Sequence, residues 1–98
     1  MVEVTWTDNA VQDLNDIAEY ISKDSIRYAE LTVQELFESV DILEKYPDFG
    51  TIVQEFQNEK FRQTIKGNYR IVYQLINENV IHILTVHNCA RLIRNTLE

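Results

Sequence analysis

At 98 residues, with 45% apolar and 26% charged side chains, the chain is long enough for one domain with one modest core, which requires neither a metal ion nor a disulfide. Its single cysteine, Cys89, excludes an internal disulfide and is typical of a reducing, cytoplasmic compartment, and no apolar run of about 18 residues is present to span a membrane. The sequence predicts no metal site and no cofactor, and the net charge of −7 argues against non-specific binding of nucleic acid by the whole molecule.

The charge is divided unevenly along the chain. Residues 1–59 carry 14 acidic and 3 basic side chains, whereas residues 60–98 carry 2 acidic and 6 basic ones. Such a division predicts two different surfaces, one acidic and well solvated and the other basic.

The chain begins with a predicted strand and helix. Residues 2–6 alternate apolar and polar side chains, as half-buried strands do. Thr7 or Asp8 is placed to cap a helix of roughly four turns. Its apolar stripe consists of Ala10, Val11, Leu14, Ile17, Ala18 and Ile21.

A second helix is predicted to follow after a short link. Asp24 or Ser25 is placed to cap it, and we expect it to end near Tyr46 because Pro47 cannot continue a helix. Its apolar stripe consists of Ala29, Val33, Leu36, Phe37, Val40 and Leu43. The short link predicts that the two helices form an antiparallel hairpin.

The second half predicts a small sheet. Residues 47–59 have no clear period and are interpreted as a loop, and its unusual length is often a sign of function. Strands are expected near residues 60–66, 69–76 and 80–87, because turn-forming residues separate them. A short final helix is possible over residues 88–98. The predicted fold is one α+β domain over residues 1–98: a strand, an antiparallel helical hairpin and a three-stranded antiparallel meander, with about four strands in one sheet.

The register of the first hairpin decides where the basic residues point. The apolar pattern is best satisfied if Ile65 pairs with Tyr69 across a three-residue turn at 66–68. Arg62 and Arg70 would then lie side by side on the sheet face away from the helices. The strand at 80–87 is apolar on both sides, so the pattern leaves the orientation of His87 open.

Each basic residue also has an ordinary structural explanation. Arg62 could discourage strand pairing at a sheet edge, and Arg70 could form an ion pair with a helix or loop carboxylate. His87 could be a hydrogen-bonded histidine at the end of a strand. As a group, however, the bases predict a basic patch for target binding, consisting of Arg62, Lys66, Arg70, Arg91 and Arg94.

Five segments in a fixed order resemble the RelE/ParE superfamily of toxins from bacterial type II toxin–antitoxin systems. They are W-T-x-x-A-x-x-D-L at 6–14, I-A-E-Y-I at 17–21, L-E-K-Y-P-D-F-G at 43–50, Y-R-I-V-Y at 69–73 and V-H-N-C-A-R at 86–91. The resemblance implies a toxin that a cognate antitoxin holds inactive, with oligomers formed through the antitoxin complex.

The resemblance implies two alternative targets. Members of the RelE branch cleave messenger RNA on the ribosome, and the corresponding residues here would be Arg62, Arg70 and His87. Members of the ParE branch poison DNA gyrase and are not known as nucleases. Thr64 stands where a second lysine would assist RNA cleavage, and no tyrosine follows Tyr73. These departures and the long helical hairpin favour the ParE branch, and an inactivated family member that only binds an antitoxin is a further alternative.

Overall fold

Five strands form one mixed sheet, and two helices cover one face of it. The computed structural model describes residues 1–89. The elements in chain order are β1 (Glu3–Trp6), α1 (Asp8–Ser22), α2 (Ile26–Glu38), β2 (Thr51–Ile52), β3 (Phe61–Lys66), β4 (Tyr69–Asn77) and β5 (Val80–Asn88). Short 3₁₀ turns at Asp41–Glu44 and Gln54–Phe56 flank β2. The strand order is β1-β5-β4-β3-β2, with β1 parallel to β5 and the other pairs antiparallel.

The residues that cap the two helices are among the candidates predicted from the sequence. The Thr7 hydroxyl accepts a hydrogen bond from the Ala10 amide at 3.2 Å, and the Ser25 hydroxyl accepts one from the Tyr28 amide at 3.1 Å. These bonds satisfy amides of the first turn, which have no partner within a helix. In the described part of the chain, no helix has the length and apolar character needed to cross a membrane.

The core lies between the helical hairpin and one face of the sheet, which we call the helix face. The helices contribute Leu14 and Leu36, and β4 contributes Ile71 and Tyr73, all of them buried. The core cluster is completed by Ala10, Val40, Leu43, Ile81, Ile83 and Val86. We call the opposite side the open face.

The second helix ends earlier than predicted. It stops at Glu38, where the Ser39 hydroxyl donates to the Leu36 carbonyl at 2.7 Å, and a 3₁₀ turn follows. The bend turns Val40 and Leu43 into the core, where both are buried. The expected end near Tyr46 is therefore wrong, because burial of these two side chains requires a change of chain direction well before Pro47.

The α+β class and the order of elements are as predicted, but the sheet has one strand more. The predicted loop at 47–59 contains β2, which pairs with β3 through Thr51 opposite Gln63 and Ile52 opposite Arg62. A two-residue strand is too short to show a period of two in the sequence. The possible helix over residues 88–98 lies outside the described residues except for its first two positions, and Asn88 is the last residue of β5.

The first hairpin has a two-residue turn, not the three-residue turn that the apolar pattern predicted. Lys66 pairs with Tyr69, and Gly67 between them has a φ of 59°, a backbone angle that glycine adopts without strain. Ile65 therefore pairs with Arg70 and not with Tyr69. This shift by one residue reverses the orientation of every side chain on β3 relative to β4.

Candidate functional site

Arg62 and Arg70 lie on opposite faces of the sheet, so the prediction that they emerge side by side is wrong. Arg62 pairs across the ladder with Tyr73, which belongs to the helix-face core, whereas Arg70 pairs with His87 on the open face. Lys66, which follows the same alternation as Arg62, is exposed at the end of the hairpin. The predicted target-binding residues Arg91 and Arg94 lie outside the described residues.

Arg62 holds the loop that follows the helices. Its Nη1 atom donates to the carbonyl oxygens of Gly50 at 3.1 Å and Asp48 at 3.4 Å. Both acceptors are main-chain carbonyls of the loop, and the Arg62 side chain is partly buried. In the described chain, the hydrogen bonds of Arg62 therefore connect β3 to this loop.

The Tyr73 hydroxyl forms hydrogen bonds to the same loop. Its hydroxyl donates to the Pro47 carbonyl at 3.0 Å and accepts from the Gly50 amide at 2.8 Å. Burial raises the pKa of Tyr73 above its usual value, so the phenol remains a hydrogen-bond donor. A Cβ at Gly50 would lie 2.7 Å from this hydroxyl and closer still to the Gln63 carbonyl, so the contact requires glycine.

The open face contains the candidate site. Arg70 and His87 are direct cross-strand neighbours, and both line a cavity of about 310 Å³. Phe56, Phe61 and Val72 form apolar walls of this cavity. Of the three residues expected for RNA cleavage, the structure thus brings together Arg70 and His87 and separates Arg62 from them.

A loop carboxylate neutralises Arg70. Its Nη2 atom donates to Glu55 Oε2 at 3.0 Å. The sequence had allowed such an ion pair with a helix or loop carboxylate as an alternative to target binding. The hydrogen bond from Arg70 is the main cause that lowers the pKa of the Glu55 carboxyl. The Arg70 side chain is only 15% exposed, and its buried Nε makes no hydrogen bond within residues 1–89.

A short series of hydrogen bonds connects His87 to α1. The Thr85 hydroxyl donates to Asp13 Oδ2, which also accepts from the Val86 amide at 3.0 Å. Since the hydroxyl proton points to Asp13, the His87 Nε2, at 2.9 Å from the Thr85 oxygen, is the donor in their hydrogen bond. The imidazole is therefore fixed in orientation next to Arg70.

Sequence reasoning missed Glu55, Asp13 and Thr85 as members of this site. Asp13 lies outside the apolar stripe of α1, where an acidic residue is read as solvated, and Glu55 lies in a segment without any period. Only the fold shows that both carboxylates approach β4 and β5. No group of three or more His, Cys, Asp or Glu in residues 1–89 is placed to hold a metal ion.

Comparison with solved structures identifies the fold class. The chromosomal ParDE toxin–antitoxin system from P. aeruginosa contains a chain that is 21% identical, with a TM-score of 0.72, over 90% of this chain and 96% of that one. The RelBE2 toxin–antitoxin complex from Mycobacterium tuberculosis contains a chain that is 20% identical, with a TM-score of 0.57, over 89% and 96%. The fold is therefore one that occurs in both of these toxin–antitoxin systems.

Sequence comparison gives the family. The toxin RelE2 of Caulobacter vibrioides is 26% identical over 92 residues, which cover 94% of this chain and all of the relative. The model of the ParE toxin of type II toxin–antitoxin systems matches residues 4–93. The chain belongs to the ParE toxin family, which confirms the RelE/ParE resemblance of its sequence.

Proposed function

We propose that this toxin acts by binding and poisoning DNA gyrase, and that it does not cleave RNA. The observation that carries the proposal is the separation of Arg62 and Arg70. Cleavage of RNA requires several groups that converge on one phosphate, to activate the 2′-hydroxyl and to stabilise the developing charge. In the described chain, Arg62 is bound to the loop at 48–50 and Arg70 to Glu55. An interface for a protein target has no such requirement.

The experiment is a supercoiling assay with purified toxin and gyrase. The proposal predicts inhibition at near-stoichiometric toxin and accumulation of cleaved DNA held by gyrase. Full supercoiling activity at a large excess of toxin would contradict it. Induction of the DNA damage response in cells that express the toxin alone is the corresponding observation in vivo.

One observation favours ribosome-dependent cleavage of messenger RNA as a second candidate. The oriented His87 beside Arg70 provides an acid or base next to a cation. Primer extension on translated messages tests it: cuts that vanish in His87→Ala and in Arg70→Ala would support cleavage, whereas intact messages in arrested cells would exclude it.

Absence of growth arrest would instead indicate an inactivated member that only binds an antitoxin.

We also propose a cognate antitoxin as the partner, as in the two solved complexes. An apolar groove of about 570 Å³ runs between α1 and α2. Ile26 and Phe37 line it and are more than half exposed, and Glu19 and Glu30 lie at its edge. An amphipathic helix with basic residues beside its apolar stripe has the matching chemistry.

The groove gives a testable prediction for the antitoxin encoded beside this gene. Ile26→Glu should raise the Kd for the antitoxin at least about tenfold, because it places a charge on the apolar contact surface. Ile42→Glu, a similar change at an exposed residue outside the groove, is the control. Equal affinities of both variants in calorimetry would show that the antitoxin helix binds elsewhere.

A further inference from the structure

One short segment lies beside the candidate site and lines it with two of its own side chains. We call residues 54–57, a 3₁₀ turn that ends at Gln57 with a φ of 49°, the strap. Its Glu55 binds Arg70, and its Phe56 packs edge-on against Phe61 with the ring centroids 4.9 Å apart. The strap thus supplies an acidic and then an aromatic side chain to a pocket of the open face.

The contacts of the strap are few and exposed. The Glu55 side chain is 38% exposed and Phe56 is 52% exposed, so one ion pair and one ring contact hold them in place. Partly exposed ion pairs contribute little to stability. The strap begins next to Val53, which is fully buried and donates to the Phe61 carbonyl at 2.9 Å, so the start of the segment is anchored. Displacement of the Glu55 and Phe56 side chains breaks the ion pair and the ring contact, and it leaves the guanidinium of Arg70 beside His87 without its carboxylate.

We propose that the strap is an internal pseudo-ligand, and that the pocket binds a segment of a partner protein with an acidic residue followed by an aromatic one. The chemistry favours such a peptide over a nucleic acid. The pocket offers one guanidinium between apolar walls, whereas a nucleic acid backbone is bound by several cations in a row. The overall charge of −7 also opposes a polyanion.

Competition between the strap and an external segment follows from this arrangement. The strap is part of the chain, so it acts at an effective concentration in the millimolar range, against which any partner must compete. Weakening the strap should therefore increase the affinity of the pocket for an external acidic–aromatic peptide. This proposal concerns binding alone and does not depend on the target of the toxin.

The test uses the peptide acetyl-Gln-Glu-Phe-amide, which reproduces residues 54–56, and an NMR titration of the Arg70 Nε–H resonance. The double variant Glu55→Gln with Phe56→Ala should bind this peptide with a Kd at least about fivefold lower than that of the wild type. The matched control is Glu59→Gln with Phe49→Ala, which removes the same charge and an equally exposed ring. It should bind like the wild type.

Three outcomes of the peptide titrations would overturn the proposal. They are equal Kd values for the double variant and the wild type, an equal gain in the control variant, and equal binding of acetyl-Gln-Gln-Phe-amide. A fourth arm uses an oligouridylate RNA. If the double variant gains affinity for the RNA and not for the peptide, the pocket is a nucleic acid site and the peptide proposal is wrong.

Discussion

Two arginines on neighbouring strands have different roles because the strand register sends them to opposite faces. Arg62 bonds to main-chain carbonyls under the loop at 47–50, whereas Arg70 lies on the open face beside His87. Their chemistry is the same, so only their surroundings distinguish them. At this scale, the strand register determines which hydrogen-bond partners each arginine meets.

The hydroxyl of Tyr73 gives a first prediction. Tyr73→Phe leaves the Pro47 carbonyl and the Gly50 amide without their partner, and it should lower the free energy of unfolding by about 1–3 kcal/mol. Urea unfolding measures this change. Tyr46→Phe removes the hydroxyl of an exposed tyrosine and serves as the control, with an expected change near zero. Similar values for the two variants would show that the loop is held by other contacts.

The ion pair of Glu55 gives a prediction about pH. Because Arg70 lowers the pKa of Glu55 in the folded protein, the pair stabilises the fold above the usual pKa of a glutamate. That contribution is lost as the pH falls through the lowered value. The NMR titration midpoint of the Glu55 carboxyl should therefore lie lower in the wild type than in Arg70→Gln. Identical midpoints would show that the pair is not formed in solution.

At the scale of elements, α1 acts as a clamp on β5. The ladder between β4 and β5 is irregular, since Tyr73 faces Ile83 and Val72 faces Thr85, which leaves Leu84 as an extra residue. Thr7 and Asn9, at the start of α1, donate to the carbonyls of Ile83 and Leu84. Asp13 accepts from the next two residues of β5. The bulge is therefore held by one end of the helix.

Removing the Asp13 carboxylate tests this clamp. Asp13→Ala leaves the Val86 amide without an acceptor, so we expect about 1–3 kcal/mol of destabilisation. Asp16, an exposed residue of the same helix, accepts a hydrogen bond from the Gln12 side chain, and Asp16→Ala should cost much less. Urea unfolding compares the two, and NMR of the His87 ring should report a change in the Asp13 variant alone. An unchanged His87 spectrum would contradict the proposed chain of contacts.

The elements differ in how far the sequence determines them. Thr7 and Ser25 cap the helices as predicted, because an N-cap depends on neighbouring residues only. The apolar residues of β3 led to a wrong register, because Phe61 and Ile65 were expected to face the helices. The turn geometry at Gly67 determined the register instead, and the strap gave Phe61 a partner on the open face.

At the scale of the molecule, the site could be predicted only in part. The sequence offered Arg70 and His87 as candidates for RNA cleavage, with the face of His87 left open, and the fold makes them cross-strand neighbours. The sequence could not predict the ion pair between Glu55 and Arg70, because it forms only when a long irregular segment folds back over β4. The role expected for Arg62 depended on a register that the apolar pattern gave incorrectly. The acidic helical hairpin, which the sequence explained only as solvated, borders the groove proposed for the antitoxin.

The most direct measurement is gyrase supercoiling in the presence of three purified proteins: the wild type, Arg70→Gln and Glu59→Gln. We predict that the wild type and Glu59→Gln inhibit gyrase at similar concentrations and trap cleaved DNA. Arg70→Gln should require at least about tenfold more protein, because it loses the cation of the open face. Gyrase that stays fully active with the wild type, while translated messages are cut, would contradict the account.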